Sequence, residues 1–232
     1  MDEQPQFSGT RPTPTFLQRP LFESLTLAEL TNLASKSKLL QYERHDIIYA
    51  QGQKDLPPIL ILNGLIKLSC TAPHGRECVL HVIRPEALID AGVLYYEIGI
   101  PYSATAIAKS QGVVFDREAF LTLLQTNGQF ANKILKIMSS RQRLFVNKLA
   151  SSQGRITVSC RVSAWLLHRS RMESTDFLYL NFNRELMARL LGVTRESLSR
   201  ELSRLNRLGY IDLKRHTIEL LDKDALKKLA TS

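Results

Sequence analysis

Cysteine is scarce in this chain, with only Cys70, Cys78 and Cys160 among 232 residues, and no Cys-x-x-Cys pair can be drawn from them. A disulfide scaffold is thereby excluded and reduced thiols are expected; a cysteine-ligated cluster would need a fourth ligand from elsewhere. Long apolar runs are missing as well, since no stretch approaches the roughly 18 to 20 residues a membrane span requires. The opening MDEQPQFSGTRPTPTF is acidic and proline-rich where a signal peptide is basic and then apolar, so a cytoplasmic protein with no membrane partner is expected. Enzyme motifs are lacking too. There is no HExxH, GxSxG, GKS/T or glycine-rich phosphate loop, and no cluster of carboxylates with histidine in the β-rich stretch, which argues against an enzyme whose barrel holds an active site.

What is present begins with 44% hydrophobic residues, ample for one large or two modest cores, and a net charge of +9 that is unevenly spread. Residues 1–153 hold 16 Lys/Arg against 13 Asp/Glu, whereas residues 154–232 hold 15 against 9, so the last third carries +6 of the +9. A basic segment of that size favours a polyanion, because each neutralised phosphate releases condensed counterions. A soluble domain with many solvated arginines has the same composition, so charge alone leaves both readings open.

Periodicity divides the chain into an α+β order. Residues 1–15 lack periodicity and read as a flexible arm, followed by an effector-sensing domain over 16–127. In LFESLTLAELTNLAS, Thr26 is placed as an N-cap and Glu29 as its capping-box partner. From about 38 to 116 the runs IIYA, ILILNGLIKLSC, CVLHVI, YSATAIA and GVVF, broken by turn residues such as Pro-His-Gly at 73–75, predict a small antiparallel β-barrel or jelly roll. A long amphipathic helix follows over 129–152, about 24 residues and roughly 36 Å in length. Its apolar stripe of Phe130, Ile134, Ile137, Met138, Leu144, Phe145 and Leu149 runs near heptad spacing, interrupted by Arg141 and Lys148. Ile134, Ile137, Met138, Arg141 and Phe145 are accordingly the candidates for a dimerisation helix spanning 128–153, against the alternative of an ordinary core helix.

Residues 154–232 predict a helix at 157–170, a strand FLYLNF, two helices across 183–208, a hairpin YIDLKRHTIELL and a last helix capped by Asp222. Leu186, Leu190 and Leu191 mark the buried side of the first of the two central helices, and Gly192 makes a tight turn. In the second, Leu198, Leu202 and Leu205 fall at i, i+4 and i+7 and turn inward. Glu196, Ser199, Arg200, Ser203 and Arg207 then share the opposite face, with Arg195 on the exposed first turn and Thr194 as the cap. This is a winged helix-turn-helix pattern, in which the second helix offers its first turns to base edges. Arg meets guanine O6 and N7 with a planar fork and Glu accepts from cytosine N4, so the cluster can read a G/C-containing half-site. Arg204 and Arg207, farther along, read as phosphate contacts or solvated side chains. An architectural DNA-binding protein without an effector has the same helix.

Over about Leu21 to Leu229 the chain resembles the Crp/Fnr family of bacterial transcription regulators. LILNGLIKL and HGRECVLHVI of the barrel, the helix 129–152 and TRESLSR of the recognition helix carry the likeness, the last being the most specific. The resemblance implies a cyclic-nucleotide-binding-like β-barrel, a dimerisation helix and a C-terminal winged helix, acting as a homodimer on a palindromic double-stranded operator together with RNA polymerase. Arg195, Glu196 and Arg200 stand where catabolite-activator-like members contact TGTGA, while Glu196, Ser199 and Arg200 fit the E-x-x-S-R of Fnr-like members that read TTGAT. Arg195 favours TTGTGA-type inverted repeats, with Thr194 counted among the contacts.

Departures from the family pattern bear on the effector. Where nucleotide-binding members have Gly-Glu and Arg-Ser pairs, this chain has Asp90-Ala91 and Tyr102-Ser103. Where a Thr-Ser pair reaches the base, it has Val146-Asn147. A cyclic phosphate would lack its charged partner and meet Asp90 instead, which argues against cyclic AMP. No cysteine precedes Cys70, which argues against an Fnr-type iron–sulfur cluster. What remains resembles the nitric-oxide-responsive haem-binding groups, the dissimilatory nitrate respiration and hybrid-cluster-protein regulators. That likeness implies haem b, with His45, His74 and His81 as candidate ligands. Another small molecule, or thiol redox chemistry at Cys70 and Cys78, stays open as the signal.

Overall fold

The computed structural model of the chain describes residues 18–71, 75, 77–152, 157–180 and 182–231, with the backbone alone for 147–152. The expected arm at 1–15, His74 and the side chain of Asn147 lie outside these. The chain divides into two compact units, Met1–Arg143 and Leu144–Ser232, with the boundary inside the long helix.

The first unit opens with a 3₁₀ turn, Pro20–Phe22, and α1 (Leu27–Ser35). The capping box forms as the sequence predicts: Glu29 N–H donates to Thr26 Oγ1 at 3.3 Å and Thr26 N–H donates back to Glu29 Oε2 at 2.7 Å. That backbone hydrogen bond, with one from the Thr26 hydroxyl, holds the Glu29 carboxyl below its ordinary range. Eight strands follow: β1 (Lys38–Tyr42), β2 (Ile47–Tyr49), β3 (Ile59–Asn63), β4 (Ile66–Thr71), β5 (Glu77–Ile83), β6 (Ala87–Leu88), β7 (Ser103–Ala106) and β8 (Ser110–Val114). They pair antiparallel in two sheets, ordered β1-β8-β3-β6 and β2-β7-β4-β5. One core draws Leu40, Leu60, Leu88 and Val113 from the first sheet and Tyr49, Ile66, Leu68 and Ala104 from the second, the arrangement of a jelly roll.

The single run ILILNGLIKLSC is two strands in two different sheets, and Gly64 is why the chain can cross between them. Its φ is +90°, and a Cβ there would stand 2.5 Å from Ser110 Cα and 2.6 Å from the Lys109 carbonyl oxygen. Ser110 completes the corner, its hydroxyl accepting from Leu65 N–H at 3.2 Å and donating to the Ala108 carbonyl at 2.7 Å. Any side chain at 64 would meet both a left-handed backbone and its neighbour's main chain.

After β8 come α2 (Arg117–Thr126) and α3 (Gly128–Ser152). Asn127 between them caps the second helix, its side-chain oxygen accepting from Phe130 N–H at 3.0 Å while its amide donates to the Ser24 carbonyl at 3.1 Å. Phe130 joins an aromatic cluster with Phe22, Phe115 and Phe120, whose ring centroids lie 5.3 to 6.2 Å apart. Ile134 is buried in the same core. The start of α3 is therefore anchored on its own barrel, and Ile134, nominated for dimer contact, is taken up there.

The second unit comprises α4 (Val158–Glu173), β9 (Phe177–Tyr179), α5 (Arg184–Leu191), α6 (Arg195–Arg207), β10 (Ile211–Leu213), β11 (Thr217–Leu220) and α7 (Lys223–Thr231). The strands form an antiparallel sheet ordered β10-β11-β9. Its core takes Val162 and Leu166 from α4, Leu198, Leu202 and Leu205 from α6, Ile211 and Ile218 from the hairpin and Leu226 from α7. Asp222 caps α7 as expected, accepting from Ala225 N–H at 2.9 Å. Among the described residues no helix is long and apolar enough to cross a membrane.

Candidate nucleic-acid interface and sensing cassette

The helix-turn-helix is built by caps. Asn183 starts α5 by accepting from Leu186 N–H at 2.9 Å, and Gly192 ends it in the left-handed region at φ +67°. Two residues later Thr194 restarts the chain as α6, its hydroxyl accepting from Ser197 N–H at 3.1 Å. Met187 and Ala188 are the buried residues of α5, where the sequence reading chose Leu186, Leu190 and Leu191; the three leucines are half-buried. In α6 the expected face is the observed one, with Leu198, Leu202 and Leu205 fully buried. Arg195, Glu196, Arg200, Ser203 and Arg207 are exposed and Ser199 is half-buried. Among the described residues Arg195, Arg200 and Arg207 hold no ion pair, so their guanidinium donors face water.

Arg204 is different and corrects the sequence reading of it as a phosphate contact or a solvated side chain. Its Nε donates to Glu201 Oε2 at 3.0 Å, and its Nη2 donates to Glu201 Oε1 at 2.8 Å and to Ser159 Oγ of α4 at 2.9 Å. Burial pushes the Glu201 carboxyl up, but hydrogen bonds from Arg204 and Ser159, with the charge of Arg204, outweigh it and hold the group below its usual range. Arg161 of α4 is a second tie the sequence did not reveal, donating from Nη1 to the Gly192 carbonyl at 3.1 Å at the turn itself. The wing tip between β10 and β11 carries exposed Lys214, Arg215 and His216, also unnominated.

In the first unit, Asp90 follows β6 and Tyr102 immediately precedes β7; the fold brings the two together. Asp90 is buried and accepts from Gly92 N–H at 2.7 Å, from the Tyr96 hydroxyl at 3.1 Å and from the Tyr102 hydroxyl in a short contact. Burial, then the negative charge of Asp90, pushes the Tyr96 phenol up to about 12 and that of Tyr102 higher still. Both phenols are thus neutral donors at any physiological pH. Two arginines hold the segment. Arg117 at the start of α2 donates to the carbonyls of Leu56 at 3.2 Å, Val93 at 3.2 Å and Leu94 at 2.7 Å, fixing the 3₁₀ turn Gly92–Leu94. Arg141 of α3 donates to the Leu88 carbonyl at 2.8 Å and to that of Ile89. The sequence makes Arg141 a candidate for dimer contact; its guanidinium is engaged within its own chain, at the two residues ahead of Asp90.

The other nominated residues are scattered. His45 is exposed in the turn between β1 and β2 at φ +84°, away from the barrel interior. His81 is half-buried on β5 opposite Leu68, whose side chain is fully buried. Val146 is 54% exposed, and among the α3 candidates Met138 is exposed while Ile137 and Phe145 are half-buried. Leu135, not nominated, is 59% exposed. Among the described residues no group of three or more His, Cys, Asp or Glu is placed to hold a metal ion.

Residues 39–127 match the cyclic nucleotide-binding domain and residues 160–229 the Crp-like helix-turn-helix domain. The CRP-like cAMP-activated global transcriptional regulator of Mycobacterium tuberculosis is 22% identical over 215 residues, covering 90% of this chain and 96% of the relative. The cyclic AMP receptor protein of Thermus thermophilus is 26% identical over 214 residues, covering 91% and 96%. The solved structure of FixK2 from Bradyrhizobium japonicum shares the fold with a TM-score of 0.74 at 21% identity, covering 84% of this chain and 98% of that one. A cyclic nucleotide-binding domain followed by a Crp-like helix-turn-helix domain places the chain in the Crp/Fnr family of DNA-binding transcription regulators.

Proposed function

We propose that the chain acts as an effector-gated homodimer that reads TTGTGA-type inverted repeats and whose barrel answers to a signal other than a cyclic nucleotide. The observation that carries the DNA reading is the start of α6, where Arg195, Glu196 and Arg200 are exposed together on the face opposite three fully buried leucines. Arg195 and Arg200 offer bidentate donors to guanine and Glu196 an acceptor to cytosine, with Thr194 and Ser199 flanking them. Arg207 and, on the wing tip, Arg215 supply positive charge for phosphates, with Lys214, paired to Asp212 at 2.9 Å, and His216 beside Arg215. Fluorescence anisotropy against palindromic and scrambled duplexes tests this. Arg195→Ala is expected to lose about 1–3 kcal/mol of discrimination at one base pair. A uniform loss on all sequences would instead make Arg195 a phosphate contact, and equal affinity of the unaltered protein for both duplexes would sink the reading.

The relatives named for cyclic AMP contrast with the cassette here. In the family pattern an arginine meets the cyclic phosphate; in this chain Tyr102 stands there and donates to Asp90, a buried acceptor that would repel an anion. Arg141, the cation beside this cluster, is hydrogen-bonded to backbone carbonyls. Haem b, when bound, would supply an iron centre for a diatomic gas such as nitric oxide. Of the described histidines, exposed His45 does not fit such a ligand, whereas His81 does by its position opposite Leu68 in the barrel. Haem-reconstituted protein is expected to give a Soret band that shifts with nitric oxide and that His81→Ala abolishes. No shift in the unaltered protein overturns the haem reading and leaves the DNA reading intact.

A further inference from the structure

The function proposed above leaves two chemically active side chains of the sensing unit unused. Cys70 on β4 and Cys78 on β5 are directly opposed across the antiparallel ladder, one rung in from Thr71 and Glu77. Opposed residues of such a pair project to the same face of the sheet, with Cα atoms about 4.5 or 5.5 Å apart according to the kind of rung. Both separations lie within the roughly 4.4–6.8 Å that a disulfide spans. The register already brings the two thiols together, and an ion pair between Lys67 and Glu77 adds a side-chain tie between the same strands. The two differ in access: Cys78 is exposed, while Cys70 is half-buried against the barrel core. Cys160, in the other unit, is buried and its thiol donates to the Ala230 carbonyl at 3.0 Å.

We propose that Cys70 and Cys78 are a modification site of the sensing unit, closing to a reversible cross-strand disulfide when the protein meets hydrogen peroxide. Exposure assigns the order of events. The Cys78 thiolate, having lost its proton to solvent, attacks one peroxide oxygen; the O–O bond breaks, a sulfenic acid forms on Cys78, and the departing hydroxide leaves as water. The Cys70 sulfur then attacks the Cys78 sulfur; the S–S bond forms, the S–O bond breaks, and the oxygen leaves with the Cys70 proton as a second water. Two thiols lose two electrons in total and one peroxide is reduced to two waters. The bond joins the two strands at this rung, and because Cys70 packs on the barrel core it ties that core to the exposed side of β5 at Cys78. A disulfide accessible from solvent on one side is open to attack by a thiol reductant, so the site is returned to its starting state without proteolysis.

Reduced full-length protein treated with hydrogen peroxide and quenched by alkylation tests the site without reference to DNA or to haem. Against the reduced, alkylated control the intact mass is expected to fall by the two alkyl groups that Cys70 and Cys78 no longer take up, a proteolytic peptide joining Cys70 to Cys78 is expected to appear, and dithiothreitol before alkylation should reverse both. In Cys70→Ser the sulfenic acid on Cys78 has no resolving thiol and should accumulate as a dimedone adduct, at several times the wild-type level. In Cys78→Ser neither adduct nor mass loss is expected at the same dose. Gain of oxygen atoms with no joined peptide, or equal dimedone labelling in wild type and Cys70→Ser, overturns the proposal. An adduct on Cys70 in Cys78→Ser overturns the assigned order.

Discussion

Replacing Leu135 and Met138 together by Asp is expected to turn the proposed homodimer into a monomer and to lower affinity for a full inverted repeat by about 10²- to 10⁴-fold. The size of the effect comes from geometry. A dimer holding one half-site presents the other recognition helix at high effective concentration; a monomer does not, whatever the quality of its own base contacts. Leu135 is 59% and Met138 36% exposed, and Val146 farther along the same helix is 54% exposed. Leu135 and Met138 stand three residues apart, the a-to-d spacing of a coiled-coil seam, and Gln142 one heptad on from Leu135 ends the apolar run. Phe130 and Ile134 face the barrel core, so Leu135 and Met138 are the apolar side chains of α3 that its own unit leaves in water. Because both substituted side chains are exposed, folding of each chain should change little, within about 0.5 kcal/mol per site. Sedimentation velocity reads the assembly, and anisotropy on full and half operators reads the binding. Retention of a dimer would move the seam elsewhere; a monomer that kept wild-type affinity for the full repeat would remove the dimer from the mechanism.

The exposed apolar side chains of α3 are only partly legible in the sequence. An apolar stripe on a helix records that something covers it, not whether the cover is the helix's own domain or another copy. Ile134 and Leu135 are adjacent and both aliphatic, and only the aromatic cluster around Phe130 decides that the first faces inward. The recognition helix was legible almost completely, since three leucines at helical spacing fix which side is buried and hence which arginines are not. Arg204 escaped because its role depends on Ser159, 45 residues earlier, and an arginine tied to a neighbouring helix looks in sequence like one facing a phosphate. In α5 the leucines are the more hydrophobic residues, yet Met187 and Ala188 hold the positions that face the core. The run ILILNGLIKLSC gave no sign that its halves belong to different sheets except its one glycine. In the cassette, the resemblance identified Asp90 and Tyr102 as departures from a pattern; that the two departures bond to each other, twelve residues apart, is a property of the fold.

Because they bond to each other, Asp90→Ala is expected to be among the most damaging single changes in the sensing unit, lowering its stability by about 2–4 kcal/mol. The carboxylate accepts from one backbone N–H and two phenols, and its removal leaves the Tyr102 hydroxyl and the Gly92 N–H buried without an acceptor. Tyr96 is more open to water and recovers part of its loss by hydration. Asp90→Asn keeps an acceptor oxygen and should restore most of the stability, whereas Tyr102→Phe, which removes one hydrogen bond to a charged group, should cost about 1.5–3 kcal/mol. In the Asp90→Ala/Tyr102→Phe double variant the orphaned hydroxyl is gone, so the loss should fall short of the sum of the single losses. Urea unfolding followed by a probe in the barrel measures all four. Additive losses would mean the pair is not coupled and the cassette is held by Arg117 and Arg141 alone. The same variants test how a change at the cassette reaches α3. Arg141 binds the carbonyls of Leu88 and Ile89, directly ahead of Asp90, so a loosened Asp90 frees the contact that ties this helix to the cassette. If that contact transmits the signal, operator affinity in Asp90→Ala shifts toward that of Arg141→Ala, and combining the two shifts it no further. Independent effects on operator affinity would place the transmission elsewhere along α3.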